Sequence, residues 1–436
     1  MSNLAVNDMD IVQRALDALK TAGADKASVS FSRGEKSELN VETGRMSLYR
    51  TTINVSLHIT AHLQTRKGSV WANRYDDETV EQAVTDAVAM ARSSEPDPAN
   101  DIAPARPMER FEDGPTEPDS DAMYDRLKEF LEHVSAHYPS VNLEQCILDF
   151  GRDQQCWANS NGAGFQGLAG AYGFQAMFTS KEGTHTSSFN YSGASHRSLI
   201  DPLKDWANVD ELMRQSTEQT RASSIDGAFE GDVIVTPDCL GDIIGALVGT
   251  YMGDRALITG TSPWKNRLDD RVSSPLFTLR SMPNGPDVEI GYRWTGDGFR
   301  AENCTLIESG VLRNFTLGLY GSNKTGRPRC PSGGGALAVD AGNSTLADMV
   351  ASVERGILLA RFSGGSPADN GDFSGVAKNS YLIENGAIVR PVVETMIAGN
   401  VGQLFGAIRA ISKERVDYGQ AVFPWVLAGG VSISGK

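Results

Sequence analysis

The chain has 436 residues, more than a single hydrophobic core usually supports, so two or three domains are expected. Hydrophobic residues make up 40% and charged residues 22%, a balance that excludes intrinsic disorder. The net charge of −15, without a basic run, argues against binding to nucleic acid or to an anionic membrane surface. No stretch reaches the roughly 20 apolar residues of a membrane span. The first ten residues lack the basic and apolar segments of a secretory signal, so a cytoplasmic location is expected.

The five cysteines are scattered along the chain, and none forms a Cys-x-x-Cys pair. Their odd number and their spacing argue against a disulfide framework and a zinc knuckle. We therefore predict reduced and mostly buried thiols. The residues are Cys146, Cys156, Cys239, Cys304 and Cys330.

Residues 1–92 are predicted to form a first α+β unit. Apolar residues at helical spacing predict a helix over 8–22, which Gly23 would end. Strict alternation of apolar and polar residues over 52–63 predicts a strand with one buried face. A second helix is expected from Asp77, with acidic residues in its first turn.

Residues 93–121 contain six prolines among acidic residues and serines, which is typical of a linker or a long surface crossover. An amphipathic helix is predicted over 119–137 and opens a second unit, residues 122–226. Residues 142–222 look like a diverged copy of residues 27–92, with strand-like runs followed by a helix. This pattern predicts a duplicated unit.

Residues 227–436 are predicted to form a β-rich C-terminal domain. Residues 233–235 read as a buried strand and 240–252 as an apolar helix. Turn residues predict two hairpins, over 306–312 and 382–389, and glycine-rich loops occur at 332–335 and 363–366. The predicted fold class is α+β: duplicated antiparallel β-meander-plus-helix units, then a mostly antiparallel β domain with a few helices.

Two pairs of histidines are spaced four residues apart. His58 and His62 lie on a predicted strand, where four residues span roughly 13 Å, so the two imidazoles cannot share a metal ion. His133 and His137 lie on a predicted helix, where this spacing suits a two-histidine zinc site. Val134 stands where such a motif carries a glutamate, and imidazoles also favour the C-terminal end of a helix. A self-sufficient hydrolase built on this helix is one hypothesis.

No other catalytic motif in the sequence identifies a reaction. The sequence has no Gly-x-Ser-x-Gly elbow, no Walker A loop and no dinucleotide-binding glycine motif between a strand and a helix. Motif analysis therefore excludes nucleotide chemistry and names no enzyme class.

The C-terminal part carries an ordered set of short motifs. The first is Phe-Glu-Gly-Asp-Val-Ile-Val-Thr-Pro at 229–237, and the others lie at 260–262, 342–349, 371–375, 383–386 and 397–400. In this order, and together with the duplicated units upstream, they make the chain resemble the TldD/PmbA family, once described as modulators of DNA gyrase. The resemblance covers nearly the whole chain and rests on the ordered set.

The resemblance implies one subunit of a cytosolic two-subunit metalloprotease. In that family the TldD-type subunit carries His-Glu-x-x-x-His on the helix after the opening strand, and the TldE/PmbA-type subunit lacks it. Here Gly245, Ala246 and Thr250 hold the positions of the two histidines and the glutamate. None of these three side chains can ligate zinc as an imidazole does, and none can accept a proton from a zinc-bound water. The chain is therefore expected to have no catalytic or metal-binding residues, with zinc in its partner, and Gly245 and Gly249 are expected to serve close helix packing.

The resemblance also implies partners and a role. The expected partners are a TldD-type paralogue in a heterodimer or larger assembly, a second copy in a homodimer, and a peptide or unfolded protein substrate. The candidate substrate-binding residues are Arg329, Ser332, Gly333 and Gly334, in a loop whose backbone could pair with an extended peptide. The alternative function is a non-enzymatic regulator of the gyrase-modulator type, which acts without a peptidase.

Overall fold

The structure, a computed structural model, describes residues 5–435 and their side chains from Asp8 onward. Residues 1–4 of the predicted first unit and residue 436 of the predicted C-terminal domain lie outside the described residues. The elements of the N-terminal half are α1 (Ala5–Thr21), β1 (Lys26–Glu42), β2 (Arg45–Leu63), β3 (Arg66–Ala72), α2 (Asp77–Ser93), β4 (Glu109–Asp113), α3 (Ser120–His137), β5 (Val141–Asn159), β6 (Gly164–Glu182), β7 (His185–Thr186), β8 (Asn190–His196), a 3-10 helix (Leu203–Asn208), α4 (Val209–Glu218) and a second 3-10 helix (Gln219–Arg221).

Two long hairpins, β1–β2 and β5–β6, join through β1 and β5 into one sheet. The strand order is β3-β2-β1-β5-β6-β4, with β7 and β8 also paired to β6. Among the described strands of this sheet, β4 and β6 form the only parallel pair. Val29, for example, lies opposite Ile59 on β2 and Ala158 on β5. One sheet thus contains strands of both predicted units. The boundary between the two units and their origin by duplication stay predictions.

Helices cover the face of this sheet that carries the alternating apolar residues. On β1, Val29 and Phe31 pack under α1 and α2, whereas Leu39 and Val41 pack under α3 and α4. These four residues are separated by even numbers, so they point to the same face of the strand. The apolar residues of this face form two clusters, and the polar residues Arg33, Glu35 and Ser37 lie between them on the same side of β1. On β2, Ile53 is 62% exposed, so the buried face predicted over 52–63 begins only at Val55.

Between α2 and α3 the proline-rich segment runs along the protein. Glu109–Asp113 forms β4 beside β6, and Ile102 and Ala103 are buried. Asp113 accepts a 2.7 Å hydrogen bond from Nε of Arg293, a residue of the C-terminal half. The segment predicted as a linker thus contributes contacts between the two halves of the chain.

The elements of the C-terminal half are β9 (Ala228–Val235), α5 (Pro237–Leu247), a π-helical turn (Val248–Met252), α6 (Asp254–Ile258), β10 (Leu279–Ser281), β11 (Cys304–Glu308), β12 (Val311–Leu312), α7 (Leu319–Thr325), β13 (Leu337–Val339), α8 (Leu346–Ala351), β14 (Arg355–Leu359), β15 (Arg361–Gly364), β16 (Asp372–Lys378), β17 (Ser380–Glu384), β18 (Ala387–Val392), β19 (Thr395–Asn400), α9 (Val401–Gly406), β20 (Ile408–Asp417) and β21 (Val422–Ser434). The α+β fold class predicted from the sequence is confirmed.

A second, mixed sheet organises this half. Its main path runs β12-β11-β10-β13-β21-β9-β14-β17-β18, and β9 lies between an antiparallel β21 and a parallel β14. A second parallel contact joins β13 and β21, while the remaining pairs are antiparallel. The predicted hairpins form as β11–β12 and β17–β18, with Ser309 and Asn385 in the left-handed conformation that their tight turns require. In the described part of the chain, no helix combines the length and apolar character of a membrane crossing.

Candidate functional site

The helix after β9 changes its winding in the middle. Pro237 starts α5 at a position where a missing N–H costs nothing, but α-helical hydrogen bonding ends at Leu247 and a π turn continues to Met252. The prediction of a helical run over 240–252 is confirmed, and the structure adds that its last five residues are π-helical rather than α-helical. A π turn takes up one extra residue; such turns are rare and are frequently found at functional sites.

The π turn changes which residues share a face. In an α-helix, positions five apart point about 140° away from each other, since a turn takes 3.6 residues. One extra residue in the turn brings such a pair to roughly the relation of positions four apart, about 40°. Gly245 and Thr250, five apart, accordingly both line one cavity, together with Ala246.

This cavity has a volume of about 930 Å³ and lies between the helix, the sheet and the β15–β16 hairpin. That size is typical of a ligand pocket. Apolar side chains make up just over half of its wall. They come from β9, α5, β14, β15, β16, β19, α9 and β21, and are Val233, Val235, Ile243, Leu359, Phe362, Phe373, Ile397, Val401, Leu404 and Val431.

The charged residues of the cavity are mostly acidic. Asp242, Asp254 and Asp369 line it together with one cation, Arg255. Asp254 is also held in place, because its Oδ1 accepts a 3.0 Å hydrogen bond from the backbone N–H of Gly318. An apolar cavity with an acidic surplus favours apolar groups and cations over anions.

The glycines of the helix open this space. A Cβ atom added to Gly245 or Gly249 would meet nothing within 4 Å. The prediction that these two residues allow close helix packing is therefore wrong, because no neighbouring element approaches them. They face the cavity, and the missing side chains are part of its volume.

The residues at the three family positions do not fit a zinc ion. Gly245 and Ala246 carry no ligating group, and zinc in proteins is held by imidazole, thiolate or carboxylate rather than by a hydroxyl such as that of Thr250. Across residues 5–435, no group of three or more His, Cys, Asp or Glu residues is placed to hold a metal ion. No zinc-dependent step follows from this arrangement.

One edge of the β15–β16 hairpin borders the cavity. Among the described strands β15 pairs with β16 alone, so its other edge has no strand partner. Phe362 and Gly364 of β15 line the cavity, as do Gly365, Ser366 and Pro367 in the following turn. An unpaired edge next to a cavity can add an extended peptide as a further strand.

The predicted substrate-binding loop lies elsewhere. Nε of Arg329 donates a 2.9 Å hydrogen bond to Asp297, and its guanidinium lies 3.9 Å from the centre of the Phe299 ring. Ser332 is fully buried, and Gly333 and Gly334 have positive φ angles of 79° and 86°. None of these four loop residues lines the cavity. Their role in binding stays a prediction.

Of the four paired histidines, His62 is buried, and the other three contact neighbouring groups of the protein. His58 stacks on Trp71 at 4.0 Å between ring centres, and burial lowers the pKa of His62 to about 4. Nε2 of His133 lies 2.6 Å from Asp210, and Nδ1 of His137 donates a 3.0 Å hydrogen bond to the His133 carbonyl. The strand assignment of the first pair is confirmed.

Sequence reasoning missed most of this site. The glycine-rich run at 363–366 was a visible signal, and it lies at the cavity, unlike the run at 332–335. The π turn, by contrast, has no signature in the residues 248–252. The family motif implied that positions 245 and 250 face one site, but only the structure shows that a π turn lies between α5 and α6 there.

Comparison with known proteins finds similarity to PmbA- and TldD-type metalloproteases. Residues 229–435 match the family described as the PmbA/TldA metallopeptidase C-terminal domain. Metalloprotease PmbA of Escherichia coli O157:H7 is 22% identical over 422 residues, which are 93% of this chain and 91% of that protein. The zinc metalloprotease TldD homolog of Saccharolobus solfataricus is 24% identical over 203 residues, only 43% of this chain and 45% of that protein.

Solved structures share the fold over almost the whole length. TldE from Thermococcus kodakarensis superposes with a TM-score of 0.80 at 18% identity, covering 98% of this chain and 99% of that chain. A Bacteroides thetaiotaomicron protein, to which a role as modulator of DNA gyrase has been ascribed, gives a TM-score of 0.85 at 21% identity and 99% coverage of both chains.

The fold and the matched C-terminal domain define the chain as a relative of metallopeptidases. Its residues 229–435 belong to the PmbA/TldA metallopeptidase C-terminal domain family, and over nearly its whole length the chain is similar to metalloprotease PmbA.

Proposed function

We propose that this chain is the metal-free subunit of a cytosolic TldD/TldE-type metalloprotease and helps to form the chamber for unfolded or leader peptides. One observation carries the proposal. Positions 245, 246 and 250 share a single cavity, as a metal site would require, but they bear Gly, Ala and Thr. A chain with this arrangement offers a substrate space without the ligands and base of a zinc hydrolase.

The shape of the cavity supports a peptide as its occupant. Apolar walls accept apolar side chains, and the free edge of β15 offers main-chain groups to an extended backbone. The acidic surplus of Asp242, Asp254 and Asp369 over Arg255 favours a peptide without acidic residues at this point.

A TldD-type paralogue is the proposed partner, in a heterodimer or a larger assembly, and would supply the zinc ion. The relatives include proteins named as TldD homologs and one structure named TldE, which supports such a pairing. In this proposal, cleavage belongs to the complex and not to this chain.

Metal analysis and reconstitution test the proposal. The purified chain should contain no stoichiometric zinc and should not cleave an unfolded protein such as casein. Mixed with a paralogue that carries His-Glu-x-x-x-His, it should form a stable complex whose peptidase activity a chelator abolishes. One zinc per chain, or cleavage by this chain alone, would overturn the proposal. Retention of gyrase without the paralogue, and no peptidase with it, would favour the regulatory alternative.

A cavity-filling variant tests the chamber itself. Gly249→Leu places a side chain into open space, so the fold should persist while the cavity shrinks. Peptidase activity of the reconstituted complex should fall at least tenfold. Gly151→Leu is the matched control, since a Cβ at Gly151 on β5 also meets nothing within 4 Å and lies outside the cavity. Equal activity of the two variants would contradict a peptide site at the cavity.

A further inference from the structure

One cysteine of the predicted substrate-binding loop contacts a second cysteine on a neighbouring strand. Cys304 begins β11, and Cys330 lies in the loop between α7 and β13. Their sulfur atoms are 3.8 Å apart. The hydroxyl of Ser332 lies 3.3 Å from the Cys304 sulfur and 3.2 Å from the Cys330 sulfur, so the three groups contact one another.

The loop is held where it brings the sulfurs together. The backbone N–H of Cys330 donates a 2.8 Å hydrogen bond to the carbonyl of Leu317, and the hydroxyl of Tyr292 donates one of 2.7 Å to the carbonyl of Ser332. A disulfide bond is about 2.05 Å long, so the sulfurs must approach by about 1.8 Å.

We propose that Cys304 and Cys330 form a dithiol modification site, which hydrogen peroxide oxidises to an intramolecular disulfide. In the first step, the Cys330 thiolate attacks one peroxide oxygen, the O–O bond breaks, and the leaving hydroxide takes a proton to become water. In the second, the Cys304 sulfur attacks the resulting sulfenic acid, the S–O bond breaks, and the Cys304 proton leaves with the hydroxide as water. Two thiols and one peroxide thus give one disulfide and two waters.

The local electrostatics assign the two roles. Hydrogen bonds from the Cys304 thiol and the Ser332 hydroxyl lower the pKa of Cys330, whereas sharing that proton raises the pKa of Cys304. Cys330 is fully buried, but Cys304 is partly exposed and its sulfur lies 3.8 Å from that of Cys330, so a small oxidant that enters beside Cys304 comes within reach of the Cys330 sulfur. Burial raises the pKa of Cys156 and of Cys239 to about 12, which keeps them as unreactive thiols.

The disulfide would connect β11 to the loop that carries Arg329 and Ser332. It would close a segment of chain between positions 304 and 330 and so restrict the unfolded state. The oxidised protein should therefore melt at a higher temperature than the reduced protein.

Peroxide treatment of the native full-length chain tests the proposal. After treatment, free thiols are alkylated in denaturant and the peptides are mapped by mass spectrometry. We expect one Cys304–Cys330 cross-link per chain, reversible by dithiothreitol, while Cys146, Cys156 and Cys239 are alkylated. Similar oxidation of all five cysteines, or sulfinic acid at Cys330 without a cross-link, would overturn the proposal.

Single variants separate the two roles. Cys304→Ser should leave Cys330 as a sulfenic acid that dimedone traps, whereas Cys330→Ser should leave Cys304 largely unmodified. Trapping at Cys304 rather than Cys330 would reverse the assignment. If a variant does not fold, the cross-link in the wild-type chain still decides whether the pair is oxidised.

Discussion

The two sheets of this protein are covered in different ways. Four helices lie on the N-terminal sheet, and large buried side chains such as Phe130, Phe174 and Phe178 fill the space beneath them. On the C-terminal sheet, α5 and the following π turn leave a cavity of about 930 Å³. The difference is one of side-chain volume, because both sheets present apolar strands to their helices.

Glycine has opposite roles in the two regions. In the N-terminal sheet, a Cβ on Gly68 would lie 2.1 Å from the carbonyl oxygen of Ala87, so only glycine allows α2 to approach β3. On α5, Gly245 has no such neighbour. Close packing stabilises the first region, whereas the second keeps an opening that close packing would have filled.

The largest expected effect is the loss in the free energy of unfolding when a large apolar side chain is truncated, and this loss should differ between the two regions. Phe174→Ala should lower the free energy of unfolding by about 3–5 kcal/mol, because it leaves a hole in a filled core. Ile243→Ala should cost only about 1 kcal/mol, since this half-buried side chain already borders the cavity. Urea denaturation of both variants measures the two values. Equal losses would show that the cavity region is as tightly packed as the N-terminal core.

The next largest effect is a dependence of the free energy of unfolding on pH, through His62 in the N-terminal sheet. Burial, with a smaller contribution from Lys67, lowers the pKa of His62 from 6.5 to about 4. The unfolded chain therefore takes up a proton that the folded chain excludes, and stability falls as the pH drops from about 6.5 to 4. The loss should reach about 3 kcal/mol.

Denaturation midpoints across this pH range measure the loss. His62→Gln should flatten the profile, whereas His185→Gln, at an exposed position of β7, should retain the wild-type profile. A profile that is unchanged by His62→Gln would mean that other groups cause the acid sensitivity.

A smaller loss is expected from Gly68→Ala. The new Cβ would collide with backbone atoms of α2, which has to move away from β3. Overpacking of this kind usually costs about 1–3 kcal/mol, measurable as a lower urea midpoint. An unchanged midpoint would show that α2 shifts freely.

The smallest effect has the opposite sign. Gly245→Ala should raise the free energy of unfolding by about 0.5–1 kcal/mol, because alanine favours the helix and its methyl group meets no neighbour. Thermal unfolding measures the gain. A destabilised Gly245→Ala variant would mean that the glycine is needed for packing, as the sequence first indicated.

Local patterns predicted much of the fold. Alternation over 52–63 lies within β2, and the helices expected from Asp77 and over 119–137 form as α2 and α3. Their starts are set by Asp76 and Asp119, whose side chains accept backbone hydrogen bonds from Thr79 and Ala122. These features depend on residues that are close in the sequence, so the sequence displays them.

The candidate site was only partly predictable. The positions of Gly245, Ala246 and Thr250 followed from the family resemblance, but the chosen binding loop did not coincide with the cavity. The deciding contacts join residues far apart in the chain, such as Val233 on β9 and Phe373 on β16. No local pattern encodes such a meeting of distant elements.

The sequence by itself determined the apolar alternation of the strands, the extent of most helices and the absence of imidazole and carboxylate at positions 245, 246 and 250. The tertiary structure alone decided that a π turn gathers these positions on one face, that Gly245 and Gly249 border open space, and that Cys304 and Cys330 lie within 3.8 Å of each other. The physical reason is that periodicity and residue chemistry act between near neighbours in the chain. Cavities and thiol pairs arise only when packing brings distant segments together.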